Sequence, residues 1–153
     1  MILLRPATLG DAARIASVHL MARREAMPYL PVVHTEDETF DWVRDVVIPQ
    51  QTVWVAASED GIDGYIAMTA DELNDLYVRP GAQGKGVGTA LLDKARELSA
   101  GTLRLWTFQR NSRAREFYER RGFVAIETTH GQDNEEREPD IRYEWTRSDV
   151  GSR

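Results

Sequence analysis

The chain contains no cysteine. That excludes disulfides, thiolate metal sites and cysteine nucleophiles, and fits a cytoplasmic protein. No apolar run approaches the roughly 18 residues of a membrane span, so no membrane partner is expected. No signal peptide is expected either, because Met1-Ile2-Leu3-Leu4 runs at once into Arg5-Pro6 and reads as a first strand. A basic excess is also absent. Lys+Arg 19 against Asp+Glu 25 leaves a formal net charge of −6 and a pI of about 5.1, which argues against a nucleic-acid binder and favours cationic partners such as amines. There is no internal repeat and no linker. At 153 residues the chain has the size of one domain with one core, so 1–147 is read as a single domain and 148–153 as a disordered tail. Nothing resembles a metal site.

What is present is organised around Leu73 to Leu92, LNDLYVRPGAQGKGVGTALL. A short apolar run (Leu76, Tyr77, Val78) gives way to Arg79-Pro80-Gly81, a glycine-rich turn and a helix-forming segment. Strand, turn, helix leaves a helix N-terminus open at a strand end, where free N–H groups and the helix dipole attract phosphate. The spacing is neither the nucleotide-triphosphate loop, G-x-x-x-x-G-K-[ST], nor the dinucleotide fingerprint, G-x-G-x-x-G. It is Q-x-x-G-x-G: Gln83, Gly86 and Gly88.

Along the chain, Thr8 with Asp11 has capping-box spacing and opens a helix to about Glu25, with Ala12, Ile15, Val18 and Ala22 on its apolar stripe. Thr35 with Glu38 opens a second, carrying Phe40, Trp42, Val43, Val46 and Val47, with Pro49 as its end. Strands are expected at Thr52–Ala57, Ile62–Thr69 and Glu72–Val78. A helix is expected from about Gly84 to Ala100 with the stripe Val87, Leu91, Ala95, Leu98 and a C-cap at Gly101. A strand Thr102–Phe108, a helix Asn111 to about Arg121, strands Phe123–Thr129 and Ile141–Thr146, and a polar loop Gly131–Pro139 complete a mixed α/β order.

Asn111 to Phe123, NSRAREFYERRGF, is the second informative stretch. Asn111 and Tyr118 are two helical turns apart and project from nearly one face. Together, Gln83-x-x-Gly86-x-Gly88 and the later Asn-x-x-Ala-x-x-Phe-Tyr-Glu-x-x-Gly-Phe resemble the two ordered signatures of the GNAT superfamily of N-acetyltransferases. The resemblance covers Asp63 to Trp145, while the first sixty residues match in element order only. It implies a GNAT-like acyl-CoA N-acyltransferase fold of α/β (α+β) type: a mixed, mostly antiparallel seven-stranded sheet flanked by four helices, with splayed central strands. It also implies transfer of an acetyl group from acetyl-CoA to a primary amine of a small molecule or protein, and a homodimer. A catalytically silent acyl-CoA-binding sensor or interaction module is the alternative.

Residue by residue, the resemblance assigns the backbone of Leu76, Tyr77 and Val78 to the pantetheine arm. The amides from Gln83 through Gly84, Lys85, Gly86, Val87, Gly88 and Thr89 take the pyrophosphate, and Asn111 takes either group. Lys85 and Arg115 are the candidate phosphate cations. Tyr118 is the candidate acid for the leaving thiolate, and a backbone N–H near Tyr77 is the candidate carbonyl polariser. Glu72, six residues before Val78, is the candidate base, placed by simple alternation on the face of Leu76 and Val78. Asp75, Glu127, a water chain or no dedicated base are its rivals. Tyr29, His34 and His130 are candidates for the acceptor pocket. The loop Asp133 to Glu138 reads as a solvated acidic turn or as an attractor for a cationic amine.

Overall fold

The structure, a computed structural model, describes residues 2–148; positions 149–153 of the expected tail lie outside them. Strand β1 (Leu3–Pro6) passes through a 3-10 turn (Leu9–Asp11) into helix α1 (Ala12–Ala26). The Asp11 carboxylate accepts the Thr8 N–H at 2.8 Å and both terminal nitrogens of Arg5. Those bonds, Arg5 first, hold its pKa down to about 2. Helix α2 (Glu36–Trp42) opens with the expected reciprocal cap between Thr35 and Glu38. Pro49 does not end it. A π-helical turn (Val43–Val47) and a last α turn (Ile48–Gln50) carry the chain past the proline, because the wider turn shifts the carbonyl against which the ring would clash. Val43 and Val47 are buried, whereas Trp42 and Val46 face outward.

Strands β2 (Thr52–Ser58), β3 (Gly61–Thr69) and β4 (Glu72–Val78) form an antiparallel meander. A 3-10 turn (Pro80–Ala82) leads to helix α3 (Val87–Leu98), which starts three residues later than expected; Ser99, not Gly101, caps it. Its buried stripe is Val87, Leu91, Leu92 and Ala95, with Leu98 exposed. Strand β5 (Thr102–Phe108), helix α4 (Ser112–Glu119) and strands β6 (Val124–Thr129) and β7 (Asp140–Thr146) follow.

One seven-stranded sheet results, ordered β1-β2-β3-β4-β5-β7-β6. Every pairing is antiparallel except β4 with β5, which are parallel and registered only at Glu72↔Arg104. Beyond that point the two strands diverge toward Val78 and Phe108, leaving a gap in mid-sheet. Apolar layers cover both faces. On one, Leu91 and Leu92 of α3, Tyr118 of α4 and Phe123 beyond it pack against Ile66, Leu73, Leu105 and Tyr143. On the other, Ile15 and Val18 of α1 and Val43 and Val47 of the π-helical turn pack against Val53, Val55 and Tyr65.

A bulge in β4 decides which side chains reach which face. The register jumps from Ala67↔Asp75 to Met68↔Leu73, so Asn74 is the extra residue. Leu73, Leu76 and Val78 therefore share the α3–α4 face. Glu72 consequently falls on the opposite face, with Asp75 and Tyr77, not beside Leu76 and Val78 as simple alternation implied.

Candidate active site

A cavity of about 1060 Å³ runs through the gap between β4 and β5. Its donor half, on the α3–α4 face, begins at the glycine loop. Gly84 and Gly86 have φ of +78° and +83°, and an added Cβ at either would meet nothing within 4 Å. The left-handed turn thus requires glycine, and the space outside it stays open. Gly86 is the N-cap of α3, whose first amides have no intrahelical partner. Gly88 has ordinary helical backbone and lies against Phe117. Val87 is buried beneath the loop, and Lys85 points outward.

Gln83 and Thr89 are held by arginines. Arg113 donates to Gln83 Oε1 at 2.7 Å, and Arg121 donates to Thr89 Oγ1 at 3.0 Å while stacking on Phe117. Both arginines line the cavity. Neither Lys85 nor Arg115 does; Arg115 is committed to the Tyr143 hydroxyl and the Gln109 carbonyl. The missed signal was Arg113 and Phe117 on α4 and Arg121 just past its end, at four-residue spacing.

Backbone phase identifies which strand groups face the gap. Arg79 N–H bonds Asp63 O at 2.8 Å, so in the β3–β4 ladder Tyr77 is a hydrogen-bonded position, whereas Leu76 and Val78 turn their N–H and C=O groups toward β5. The Tyr77 amide is therefore spent on β3, and the strand amides turned toward the gap are those of Leu76 and Val78. Asn111 caps α4 by accepting the Ala114 N–H at 3.2 Å and lines the cavity. Tyr118, two turns along, lies among the rings of Phe117, Phe123 and Tyr143. Burial, with Tyr77 and Asp75 nearby, pushes its pKa above the ordinary tyrosine value.

The acceptor half lies on the α1 face. Arg23, Met27, Asp75, Trp106, Phe108, Glu127, Asp133 and Glu136 line it. Arg23 donates to Tyr77 Oη at 3.0 Å and to Glu136 at 2.7 Å, which ties α1, β4 and the acidic loop together. Asp75 touches the cavity yet is surrounded by protein. Burial pushes its pKa up to about 6 against the opposing pull of the Tyr65 hydroxyl and Arg23.

Glu72 sits at the closed end of the gap, bonded by Arg142 at 2.6 Å, and is not among the cavity residues. Tyr29, His34 and His130 also lie off the cavity. Tyr29 packs under Arg110, His34 pairs with Glu135 at 2.8 Å, and His130 faces outward. The acidic loop is neither free nor merely solvated, since Arg23, His34 and Arg110 fasten Glu136, Glu135 and Glu138. Arg23, His19 and Tyr65 escaped the sequence reading. The available signal was a polar pair, His19 and Arg23, continuing the Ile15 row of α1 at intervals of four.

The profile of the acetyltransferase (GNAT) domain matches residues 49–125. Over 77 residues the chain is 30% identical to a peptidyl-lysine N-acetyltransferase, YjaB, of Salmonella typhimurium, covering 50% of this chain and 52% of that protein. An uncharacterized N-acetyltransferase of Mycobacterium tuberculosis is 34% identical over 84 residues, covering 49% of this chain and 54% of that protein. The match thus spans about half the length of these curated relatives. The solution structure of apo YjaB from Escherichia coli superposes with a TM-score of 0.79 at 21% identity, covering 97% of this chain and 99% of that one. The PaiA N-acetyltransferase of Thermoplasma acidophilum, in complex with coenzyme A, superposes with a TM-score of 0.73 at 18% identity, covering 95% and 99%. Among the described residues no helix is long and apolar enough to cross a membrane.

Proposed function

The chain belongs to the GNAT acetyltransferase family, and from that premise we propose that it transfers an acetyl group from acetyl-CoA to a primary amine by direct attack in a ternary complex. The observation that carries this reading is the channel itself. It joins a loop of unpaired amides and two arginines on one face to a carboxylate-lined chamber on the other. Acetyl-CoA supplies the activated acyl thioester.

Amides from Gly86 to Thr89, with Arg113 and Arg121, hold the diphosphate. The backbone groups that Leu76 and Val78 turn toward the gap pair with the pantetheine arm, which displaces the Gln83 side chain from its 3.5 Å contact with the Val78 carbonyl, and one of their N–H groups polarises the thioester carbonyl. Asp75 is the base. An alkylammonium of pKa near 10 must lose a proton before it attacks, and a carboxylate held up to about 6 is ionised at pH 7 yet more basic than an ordinary one. Glu72, paired with Arg142, supports the sheet instead. Tyr118 is the acid. Its raised pKa keeps it protonated, so it releases the proton only as C–S cleavage makes the thiolate basic.

Asp75, Glu127, Asp133 and Glu136 against Arg23 give the chamber a negative balance suited to a cationic amine. The name of the Salmonella relative places protein lysine among the acceptors to try, beside small amines. A cysteine-free, acetyl-CoA-dependent enzyme fits the cytoplasm. The test is release of free thiol from acetyl-CoA across a panel of small amines and lysine peptides. Turnover with at least one acceptor, lost in Tyr118→Phe, is expected. Tight CoA binding with no turnover on any acceptor would point to the silent binding module instead.

A further inference from the structure

The acceptor half holds a run of hydrogen bonds that the transfer chemistry leaves unused. Asp75 Oδ2 accepts the hydroxyl of Tyr65 at 3.2 Å, and Tyr65 Oη lies 2.9 Å from Nδ1 of His19. Tyr65 is fully buried in β3, and His19 stands on α1 directly above it. A phenol carries one proton. Since that proton goes to the carboxylate, Nδ1 of His19 is the protonated nitrogen and donates to Tyr65. The imidazole is neutral, because burial, with Arg23 and His34 nearby, holds its pKa down to about 3. Trp42 and Tyr77 meet the ring edge-on at 5.4 and 5.1 Å.

We propose that His19 and Tyr65 are positioning residues for Asp75: the oriented phenol occupies Oδ2, so that Oδ1 is the oxygen presented to the acceptor amine. The proposal rests on the reading of Asp75 as the base. It also gives Tyr65 a second effect. Asp75 is approached by Arg23 from α1, Tyr65 from β3, Tyr77 within β4 and Tyr118 from α4, and Glu127 of β6 and Glu136 of the acidic loop line the same cavity. Of these, Tyr65 and Arg23 favour the charged carboxylate against burial. Deleting the Tyr65 hydroxyl therefore makes Asp75 titrate at higher pH.

The test pairs a carboxyl ¹³C NMR titration of Asp75 with the pH profile of kcat/KM, on the whole chain. The variants are Tyr65→Phe, His19→Ala, His19→Asn and Asp75→Asn. In Tyr65→Phe the NMR midpoint and the acid limb of kcat/KM move up together by about one pH unit. His19→Ala moves both in the same direction by less, and His19→Asn, whose amide nitrogen replaces Nδ1–H, restores the wild-type values. An unmoved midpoint in a folded Tyr65→Phe overturns the proposal even if Asp75→Asn is inactive, in which case the base reading stands alone. A midpoint that moves without the kinetic limb overturns both, because Asp75 is then not the base. Should Tyr65→Phe fail to fold, His19→Ala against His19→Asn carries the same comparison, and equal midpoints in that pair refute the proposal.

Discussion

The two halves of the channel are assembled from the chain in different ways. The donor half comes from two continuous stretches, 76–89 and 105–121, each a strand, a turn and a helix start. Its ligand-facing groups are mostly backbone: the unpaired edge of β4 and the first amides of α3. The acceptor half is drawn from α1, three strands and the acidic loop. Its bonds join His19 to Tyr65 and Arg23 to Tyr77 and Glu136, side chains that lie 46, 54 and 113 residues apart. A site made of backbone tolerates substitution around it, provided that the turn keeps its glycines. A site made of distant side chains changes whenever one of them does.

Substitutions that strike one half at a time sharpen this contrast. Tyr118→Phe, at the junction, has the largest effect: kcat falls about 10²- to 10⁴-fold with little change in KM for acetyl-CoA. Steady-state thiol release reads it, and a loss of only a few-fold would return Tyr118 to a packing role. On the acceptor side, Asp75→Asn lowers kcat/KM by about 100-fold and abolishes the acid limb near pH 6. Glu72→Gln, its control, changes kcat/KM by no more than about threefold, the scale of a partly exposed ion pair. If the two variants exchanged these effects, Glu72 would be the base.

On the donor side, Gly86→Ala forces an L-residue into φ +83° and brings a methyl toward the diphosphate. KM for acetyl-CoA then rises roughly tenfold, the worth of one charged hydrogen bond, and KM for the amine stays put. Urea unfolding should show about 1 kcal/mol of lost stability. The last effect is thermodynamic. Asp75 has a folded pKa of about 6 against roughly 3.9 in the unfolded chain. Its charge therefore opposes folding above pH 6, and the penalty disappears below about pH 4, where both states are protonated. Asp75→Asn should accordingly be more stable than wild type by about 2–3 kcal/mol at pH 7 and equal to it near pH 3.5. A variant less stable at pH 7 would mean that Asp75 is not a strained carboxylate.

The same contrast explains what could be read from the sequence. The order of strands and helices, the glycine loop and the Asn111–Tyr118 helix were legible because each is written in a short segment. Among the local expectations that failed, two show the reason most plainly. Pro49 did not stop α2, because a π turn made room for its ring. Glu72 changed faces, because the Asn74 bulge shifts alternation by one residue and no residue type announces a bulge. On the acceptor side little was legible. Tyr65 looks like any strand tyrosine until α1 brings His19 onto it and the pairing of β3 with β4 sets Asp75 on the same face. Arg113 and Arg121 were passed over for Lys85 and Arg115, since only the docking of α4 beside the loop tells which basic side chains meet it.

The central claim is that one continuous channel crosses the sheet, with its donor gripped at the glycine loop and its chemistry at the gap. A crystal structure with acetyl-CoA tests it most directly. The account predicts a diphosphate within hydrogen-bond distance of the amides of Gly86 to Thr89 and a thioester in the gap beside Leu76 and Val78, with the Tyr118 hydroxyl next to sulfur. A cofactor seated elsewhere, or a sulfur remote from Tyr118, would contradict it.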